Sequence, residues 1–557
     1  MSAEEWVVGL GGSSHDFSAA IMRGTDLRVA VEEERVSRRK HGFAWWYQNP
    51  VAQSLRYCLD AARIEMDDVA RFVSSDLLPA KARVAIAPRL KLYPHHLCHA
   101  ASAFMMLPPE SRVAIIVYDG MGSIRSRDPV ANMNVRETFS FFRGSGGVLE
   151  CLGTTVGESL LEHNDYPSGC TNSIGMVYEM VTAMLGFDLN DTGKTMGLAA
   201  HGRPRLLQEL RAFVTYGGTP GNCFTVDPTQ PEFRSLIGDA LESERFSFAA
   251  KADVAASVQE LLNETLLACA EVVRSEEYDV IALAGGCALN TVANAALASR
   301  LPSGTHLFVP PHAGDAGLAL GALWLDARER RDGPFTITLE GARLDPAVGR
   351  PGRPYSRDEC EDAIRSFYPR LARDPAGDSP DGLARILAGG EIVGLFRGRS
   401  EIGPRALGGR SIFADPRRAM LREKINRELK QREPFRPLAP MILAEHFCDY
   451  FHDPRQADAF MLKVALGTDR CRREAPAVLH VDGTARVQVV DVDGDPFLRA
   501  LLTAVAAETG VPMLLNTSFN RRGEPIVETP LDAVDAAVGM GLDALYLDGA
   551  LYRPVGV

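Results

Sequence analysis

The chain has 557 residues, 46% of them hydrophobic and 24% charged, with a formal net charge of −12. That length exceeds one hydrophobic core, so two or more domains are expected. The composition excludes long disorder, and the acidic balance argues against a nucleic acid as the main partner. Ten cysteines are scattered with no C-x-x-C pair, which fits free thiols in a reducing cytoplasm and disfavours zinc ribbons or a disulfide framework. The opening MSAEEWVVGL carries no secretory pattern. No apolar run reaches the roughly 18 residues of a membrane span, so a cytoplasmic protein without a membrane partner is expected.

In chain order, residues 6–10, 17–22 and 27–32 read as three short strands separated by Gly, Ser and Asp. A helix is expected over 50–64. Another runs over 96–106, followed by a buried strand at 112–118 that ends in Asp119-Gly120. A second lobe runs from about 170 to 325, with helices at 174–186, 205–214 and 252–275. In it, strand 279–284 opens into Gly285-Gly286, and strand 306–309 into the turn Gly314–Gly317. A meander followed by strand–Gly–helix units suggests two related α/β lobes around a cleft. Residues 327–375 turn rich in Arg, Gly, Pro and Asp and read as a linker or crossover, with a short helix at 357–367. The remainder resumes αβ patterning: helices at 380–388, 417–429, 496–509 and 530–539, strands at 391–396, 486–490 and 512–515.

Chemistry concentrates at four places. His95 and His99 are four residues apart, on one helix face. With Asp119 and Asp315, each beside a glycine at a strand end, they make an N2O2 set suited to iron(II), manganese or zinc rather than calcium. His96 points elsewhere on the helix. The turns Gly193-Lys194-Thr195-Met196-Gly197 and Gly285-Gly286 bring backbone N–H groups to a phosphate or adenosine, or merely allow tight turns; no Walker loop is present. His15 follows Gly11-Gly12-Ser13-Ser14 in the first loop. It is a general-base candidate, with a turn histidine as the plainer reading. The run Glu32-Glu33-Glu34-Arg35 with Arg38-Arg39-Lys40-His41 reads as a solvated charge patch. In the last third, Arg397, Arg399, Arg405 and Arg410, then Lys430, Arg432 and Arg436, then Arg486, lie in Gly/Pro-rich loops, with Asn516, Thr517 and Ser518 at a strand end. Guanidiniums so placed suit a small phosphorylated anion.

Nine segments in order resemble the NodU/CmcH-type O-carbamoyltransferases, a family that includes antibiotic-modifying enzymes. They are HHLCH at 95–99, YDG at 118–120, GKTMGLA at 193–199, GGCALN at 285–290 and GDAG at 314–317, then GPRALGGRSI at 403–412, REPFRPLAP at 432–440, DGTARVQ at 482–488 and LLNTSFN at 514–520.

The resemblance implies an α/β protein. Its actin-like (TsaD-like), two-lobed N-terminal domain would span 1–345, a linker 346–375, and a YrdC-like domain 376–557. It implies that carbamoyl phosphate and ATP give carbamoyl-adenylate in the second domain, and that the carbamoyl group passes internally to the first and there to a hydroxyl of a small natural product. By motif, His95, His99, Asp119 and Asp315 would hold iron(II) or a similar divalent ion, and Mg(II) would accompany ATP. Gly193, Lys194, Gly285, Gly286, Asn290 and Gly314 would contact nucleotide. Arg405, Lys430, Arg436, Arg486, Asn516 and Ser518 would hold carbamoyl phosphate and the adenylate, Lys430 and Arg436 as catalytic groups, and His15 would be the base on the acceptor. Two departures stand out: Asp191-Thr192 before GKTMGLA, where an acidic residue directly before the glycine is expected, and His312, a spare ligand. A homodimer is compatible with this reading. A tRNA-modifying enzyme and an actin-like sugar kinase or ATPase are the rival expectations.

Overall fold

The structure is a computed structural model. It describes every residue except 1–4, 14, 43–51, 85, 129–130, 161–168, 274–277, 344–349, 368–369, 434 and 556–557. Two compact units interleave along the chain. Unit 1 comprises Met1–Phe72, Pro79–Leu90 and Ile337–Val557; unit 2 comprises Val73–Leu78 and Lys91–Thr336. The boundaries expected at 345 and 376 do not coincide with this division.

The three N-terminal strands form as expected, as Trp6–Gly11, Ser18–Arg23 and Asp26–Glu32, paired antiparallel in sequence. Their sheet runs Ala342–Arg343, Thr338–Leu339, Asp26–Glu32, Ser18–Arg23, Trp6–Gly11, Val69–Ser75, Leu90–Tyr93. The sheet of unit 2 has the same order at its centre. Val113–Tyr118 pairs antiparallel with Met133–Ser145, which pairs with Val148–Leu160; on its other side Val113–Tyr118 is parallel to Val280–Ala284, and that to His306–Phe308. Leaving out the sixth strand of the unit 2 sheet, Ile124–Asp128, which pairs with Met133–Ser145, both run third–second–first–fourth–fifth when numbered from the first strand. This is the duplicated order of an actin-like fold.

The C-terminal part of unit 1 is a mixed eight-stranded sheet in the order Leu371–Arg373, Ala550–Pro554, Ala544–Leu547, Val393–Phe396, Arg410–Ala414, Met513–Ser518, Ala439–Leu443, Gln488–Val490. Its central strands carry apolar runs, such as Ile412–Ala414 and Met513–Leu515, because both faces are covered. Phe413, Met441, Leu443, Leu514 and Tyr546 pack with Leu383, Leu387, Leu498, Leu501 and Leu502 from helices Pro380–Ala388 and Pro496–Thr509. The alternate residues Ile412, Ala414, Ile442, Leu515 and Leu545 pack on the opposite face with Val534 and Ala537 of helix Pro530–Met540. That is the two-residue period of a pleated strand.

The expected helix at 417–429 divides. Ala419–Lys424 is regular, and Ile425–Leu429 winds as a π-turn in which the Lys430 N–H reaches the Ile425 carbonyl. Such a turn re-aims the residue that follows it. All ten cysteines are free thiols. Among the described residues no helix is long and apolar enough to cross a membrane.

Candidate metal centre and cation pocket

In unit 2 the helix His95–Phe104 starts at Pro94, whose extended backbone ends the preceding strand. It places both histidine rings on one side, edge to face with centroids 4.7 Å apart. Asp119 follows the fully buried strand Val113–Tyr118, and Asp315 opens a single turn ahead of helix Leu318–Glu329. The four residues converge as expected. His95 Nε2 is 3.2 Å from Asp119 Oδ2 and 3.6 Å from Asp315 Oδ1; His99 Nε2 is 3.8 and 3.4 Å from the same two oxygens, and the two Nε2 atoms are 3.2 Å apart. All four are buried.

These lengths fit a cation. Donors on a tetrahedral ion with bonds of about 2.1 Å lie about 3.4 Å apart, and cis donors on an octahedral one about 3.0 Å. The two imidazoles and two carboxylates supply an intermediate donor set of the kind transition ions take. Charge agrees with this. Burial disfavours a protonated His95, but Asp315 and Asp119 outweigh it and raise its pKa. Burial would likewise raise Asp119, yet the hydrogen bond from His95 and the charges of His99 and His95 hold it far below the usual carboxylate range.

The surrounding bonds fix the ligands' orientation. Asp119 Oδ1 accepts from Gly286 N at 2.9 Å, and Ser75 Oγ lies 3.4 Å from His95 Nδ1. The N–H of His95 donates to Ser123 Oγ, which donates to Asp76. His96 turns away, to Ser140 Oγ at 2.7 Å. His312 does not join the cluster as a spare ligand: its Nε2 faces the Ser102 carbonyl at 3.3 Å, and burial pushes its pKa down to about 4. One other group of ligand-type atoms lies as close among the described residues, namely Asp16, Glu34 and His41 in unit 1, all half-buried.

The expected nucleotide contacts of unit 2 divide. Gly285 has φ +91, and a Cβ there would fall 2.4 Å from the Tyr118 carbonyl oxygen, so a turn-forming role accounts for that glycine. Gly286 serves Asp119 through its N–H. Around Gly193 there is open space for a side chain, whereas a Cβ on Gly314 would meet Leu289 at 3.6 Å. Lys194 pairs with Asp191 at 2.7 Å. The Asn290 amide is used internally: it caps helix Thr291–Ala298 and exchanges two hydrogen bonds with Gln259.

In unit 1 the cations separate into two groups. Arg397, Arg399 and Arg410 are structural. Arg397 pairs with Asp495 at 2.5 Å, Arg399 donates to the carbonyls of Arg28 and Gly352, and the buried Arg410 bonds three loop carbonyls and lies over the Phe396 ring. Arg405, Lys430, Arg432, Arg436 and Arg486 form the second group. Burial, then Arg436, brings Arg405 down to about 10 and Arg432 to about 9. Arg486 is pushed well below its ordinary value by burial and by Arg405, Arg432 and Arg436. Lys430 is lowered in the same way, by burial and by Arg432, Arg436 and Lys40. Four depressed cations, with Arg436 beside them, in a half-buried place are what a polyphosphate would relieve.

Lys430 Nζ donates to the Ser518 carbonyl, to Asn520 O at 2.9 Å and to Asn520 Oδ1 at 2.7 Å, while Ser518 Oγ donates to Asn520 Oδ1. Asn516 donates to Ala406 O and Gln488 Oε1, which leaves its buried Oδ1 without a protein partner. Lys40 and Asn520 were missing from the expected contact set, whereas Arg432 was among the loop cations expected to suit a phosphorylated anion.

His15 is half-buried, its Nδ1 3.2 Å from Asp16 Oδ2. The expected solvated charge patch at 32–41 holds only in part: Arg39 and Lys40 are exposed, whereas Glu32, Glu33 and Arg35 are buried. Arg35 is 1% exposed, pairs with Glu32, and donates to the Gly403 carbonyl at 2.5 Å; Glu32 accepts the Gly403 N–H.

Residues 75–324 match the carbamoyltransferase N-terminus and residues 384–553 the carbamoyltransferase C-terminus. The chain is 31% identical to an uncharacterised protein of Synechocystis, over 97% of this chain and 95% of the other. It is 31% identical to nodulation protein NolNO of Sinorhizobium fredii, over 97% of this chain and 79% of that one. It is 34% identical to the 3'-hydroxymethylcephem-O-carbamoyltransferase of Amycolatopsis lactamdurans, over 66% of this chain and 65% of the relative.

Proposed function

The chain belongs to the carbamoyltransferase family, and we propose that it is an ATP-dependent O-carbamoyltransferase that makes carbamoyl-adenylate from carbamoyl phosphate and ATP and transfers the carbamoyl group to a hydroxyl of a small natural product. The observation that carries this reading is the gathering of the buried Lys430 with the half-buried Arg405, Arg432 and Arg486, each lowered by burial and by neighbouring cations including Arg436, which calls for a polyanion. The relative named for a hydroxymethylcephem acceptor supports the acceptor class.

Carbamate is a poor electrophile, so it needs a leaving group. In the proposed sequence water takes the phosphoryl group of carbamoyl phosphate, giving inorganic phosphate and carbamate. The carbamate oxygen then bonds to the α-phosphorus of ATP, pyrophosphate leaves, and Mg(II) travels with the nucleotide. Arg405, Arg436 and Arg486 hold the phosphates as charge shifts between them. Lys430 is held in place by Ser518 and Asn520. In the second half-reaction the acceptor oxygen attacks the carbamoyl carbon, AMP leaves, and His15 takes the hydroxyl proton. His95, His99, Asp119 and Asp315 would hold iron(II) or a similar divalent ion, which when bound supplies a Lewis acid. Free thiols and a water-labile adenylate suit a cytoplasmic setting.

The nucleotide product tests this. Given ATP, carbamoyl phosphate and a panel of hydroxylated natural products, the enzyme releases pyrophosphate and AMP, and one acceptor gains the mass of a carbamoyl group. Release of ADP would instead identify a phosphotransferase.

A further inference from the structure

Two turns of unit 1 are cross-braced through one carboxylate. In the first, Gly12 has φ +108, and a Cβ there would fall 2.8 Å from the Phe17 Cα, so the loop carrying His15 closes tightly. In the same loop Asp16 adopts φ +51. In the second, Arg38 and His41 adopt φ +58 and +62. Non-glycine residues held there are strained, and such strain gathers where side chains must be aimed. The Asp16 N–H donates to the His41 carbonyl at 3.2 Å, and the His41 N–H to Glu34 Oε2 at 3.0 Å. Between the turns, Asp16 Oδ1 lies 2.7 Å from His41 Nδ1, and Asp16 Oδ2 lies 3.2 Å from His15 Nδ1.

We propose that Asp16 and His41 are positioning residues for His15: Asp16 fixes the His15 tautomer with Nδ1–H toward the carboxylate, and His41 holds the other carboxylate oxygen and divides its charge. The inference rests on the reading of His15 as the acceptor's base. A carboxylate engaged at both oxygens cannot rotate, so the His15 ring keeps one orientation, with its basic lone pair on Nε2. The charges are consistent with this. Burial alone would raise Asp16, but the two imidazoles hold it well below the usual range. Burial alone would lower His41, but Asp16 raises it, with Glu34 adding and Lys40 opposing. Glu32 and Glu34 also lie within Coulomb reach of Asp16. The raised His41 imidazole thus tempers the pull of Asp16 on His15.

The two partners therefore shift His15 in opposite directions. Asp16→Asn removes the anion and the tautomer control. Transfer kcat falls at least about tenfold, the KM for the acceptor holds, and the acid limb of the transfer pH profile moves down. His41→Gln gives His15 the undivided carboxylate, and the same limb moves up by about half to one pH unit. Pyrophosphate exchange dependent on carbamoyl phosphate serves as the folding control and stays at wild-type rate in both variants. His41→Gln, at the more exposed turn, keeps the test alive if Asp16→Asn fails to fold. Limbs that do not move, or that move together, overturn the inference. Wild-type transfer by His15→Ala would overturn instead the base assignment on which it rests.

Discussion

Asp315 and Asp119 favour a proton on the buried His95, so at the candidate metal site a proton and a cation would compete. The His95 pKa is raised above the ordinary 6.5, despite burial, by Asp315 and Asp119. A raised folded pKa gives stability that is complete below the unfolded value and is lost as pH rises through the folded one. Metal-free protein is therefore expected to lose thermal stability as pH climbs past about 6.5. Apparent metal affinity rises over the same range, because the ligand nitrogen must shed its proton. Differential scanning fluorimetry of chelated and metal-loaded protein from about pH 6 to pH 8 reads both trends; parallel curves would contradict the assignment. Substituting His99→Ala removes one of four ligands. We expect bound metal by elemental analysis and carbamoyl transfer to be lost, with pyrophosphate release retained. The convergence of the four candidate ligands was legible in part: spacing alone puts His95 and His99 on one face, and Asp119 directly follows a strand, whereas Asp315 opens a turn of its own rather than ending one. The internal commitment of Asn290, Lys194, Ser518 and Arg410 was not legible, since residue type does not say where a hydrogen bond goes.

Among the elements, the segment Glu32–Ser37 acts on the loop that precedes strand Arg410–Ala414. Glu32 and Arg35 grip both polar groups of Gly403, two residues before Arg405. The pair is buried, and breaking such a pair leaves one charge uncompensated, at about 3–5 kcal/mol. Arg35→Met should cost that much in urea unfolding, and Arg35→Met with Glu32→Gln should recover part of it; additive losses would refute the pairing. Gly285→Ala forces a side chain into a positive-φ turn against the Tyr118 carbonyl, and about 1–3 kcal/mol of destabilisation is expected from the same measurement. The sequence reading found the helices with long apolar periodicity but missed the hairpin of Met133–Ser145 and Val148–Leu160. Its signal was present: Gly146-Gly147, both at positive φ, is a two-residue hairpin turn between alternating strands. Strand Arg410–Ala414 was hidden because its arginine and the glycines before it read as loop.

Over the whole molecule, the candidate base His15 shares unit 1 with the cation pocket. The cations that would grip carbamoyl phosphate and ATP all lie in unit 1, and the N2O2 centre lies in unit 2. The duplicated strand order could be anticipated only dimly, since its two copies share punctuation and not sequence. The interleaving could not be anticipated. Contacts such as Arg38 with Pro525 and Ile526, or Tyr57 with Glu528, join residues more than 400 apart, and no local pattern encodes them.

The central claim is that activation and transfer are separate chemistries carried by different residues. The decisive measurement is carbamoyl-phosphate-dependent exchange of labelled pyrophosphate into ATP, run on wild type, Arg436→Ala and His99→Ala. The account predicts exchange in wild type and in His99→Ala, and none in Arg436→Ala. No exchange in any of them, or full exchange in Arg436→Ala, would contradict it.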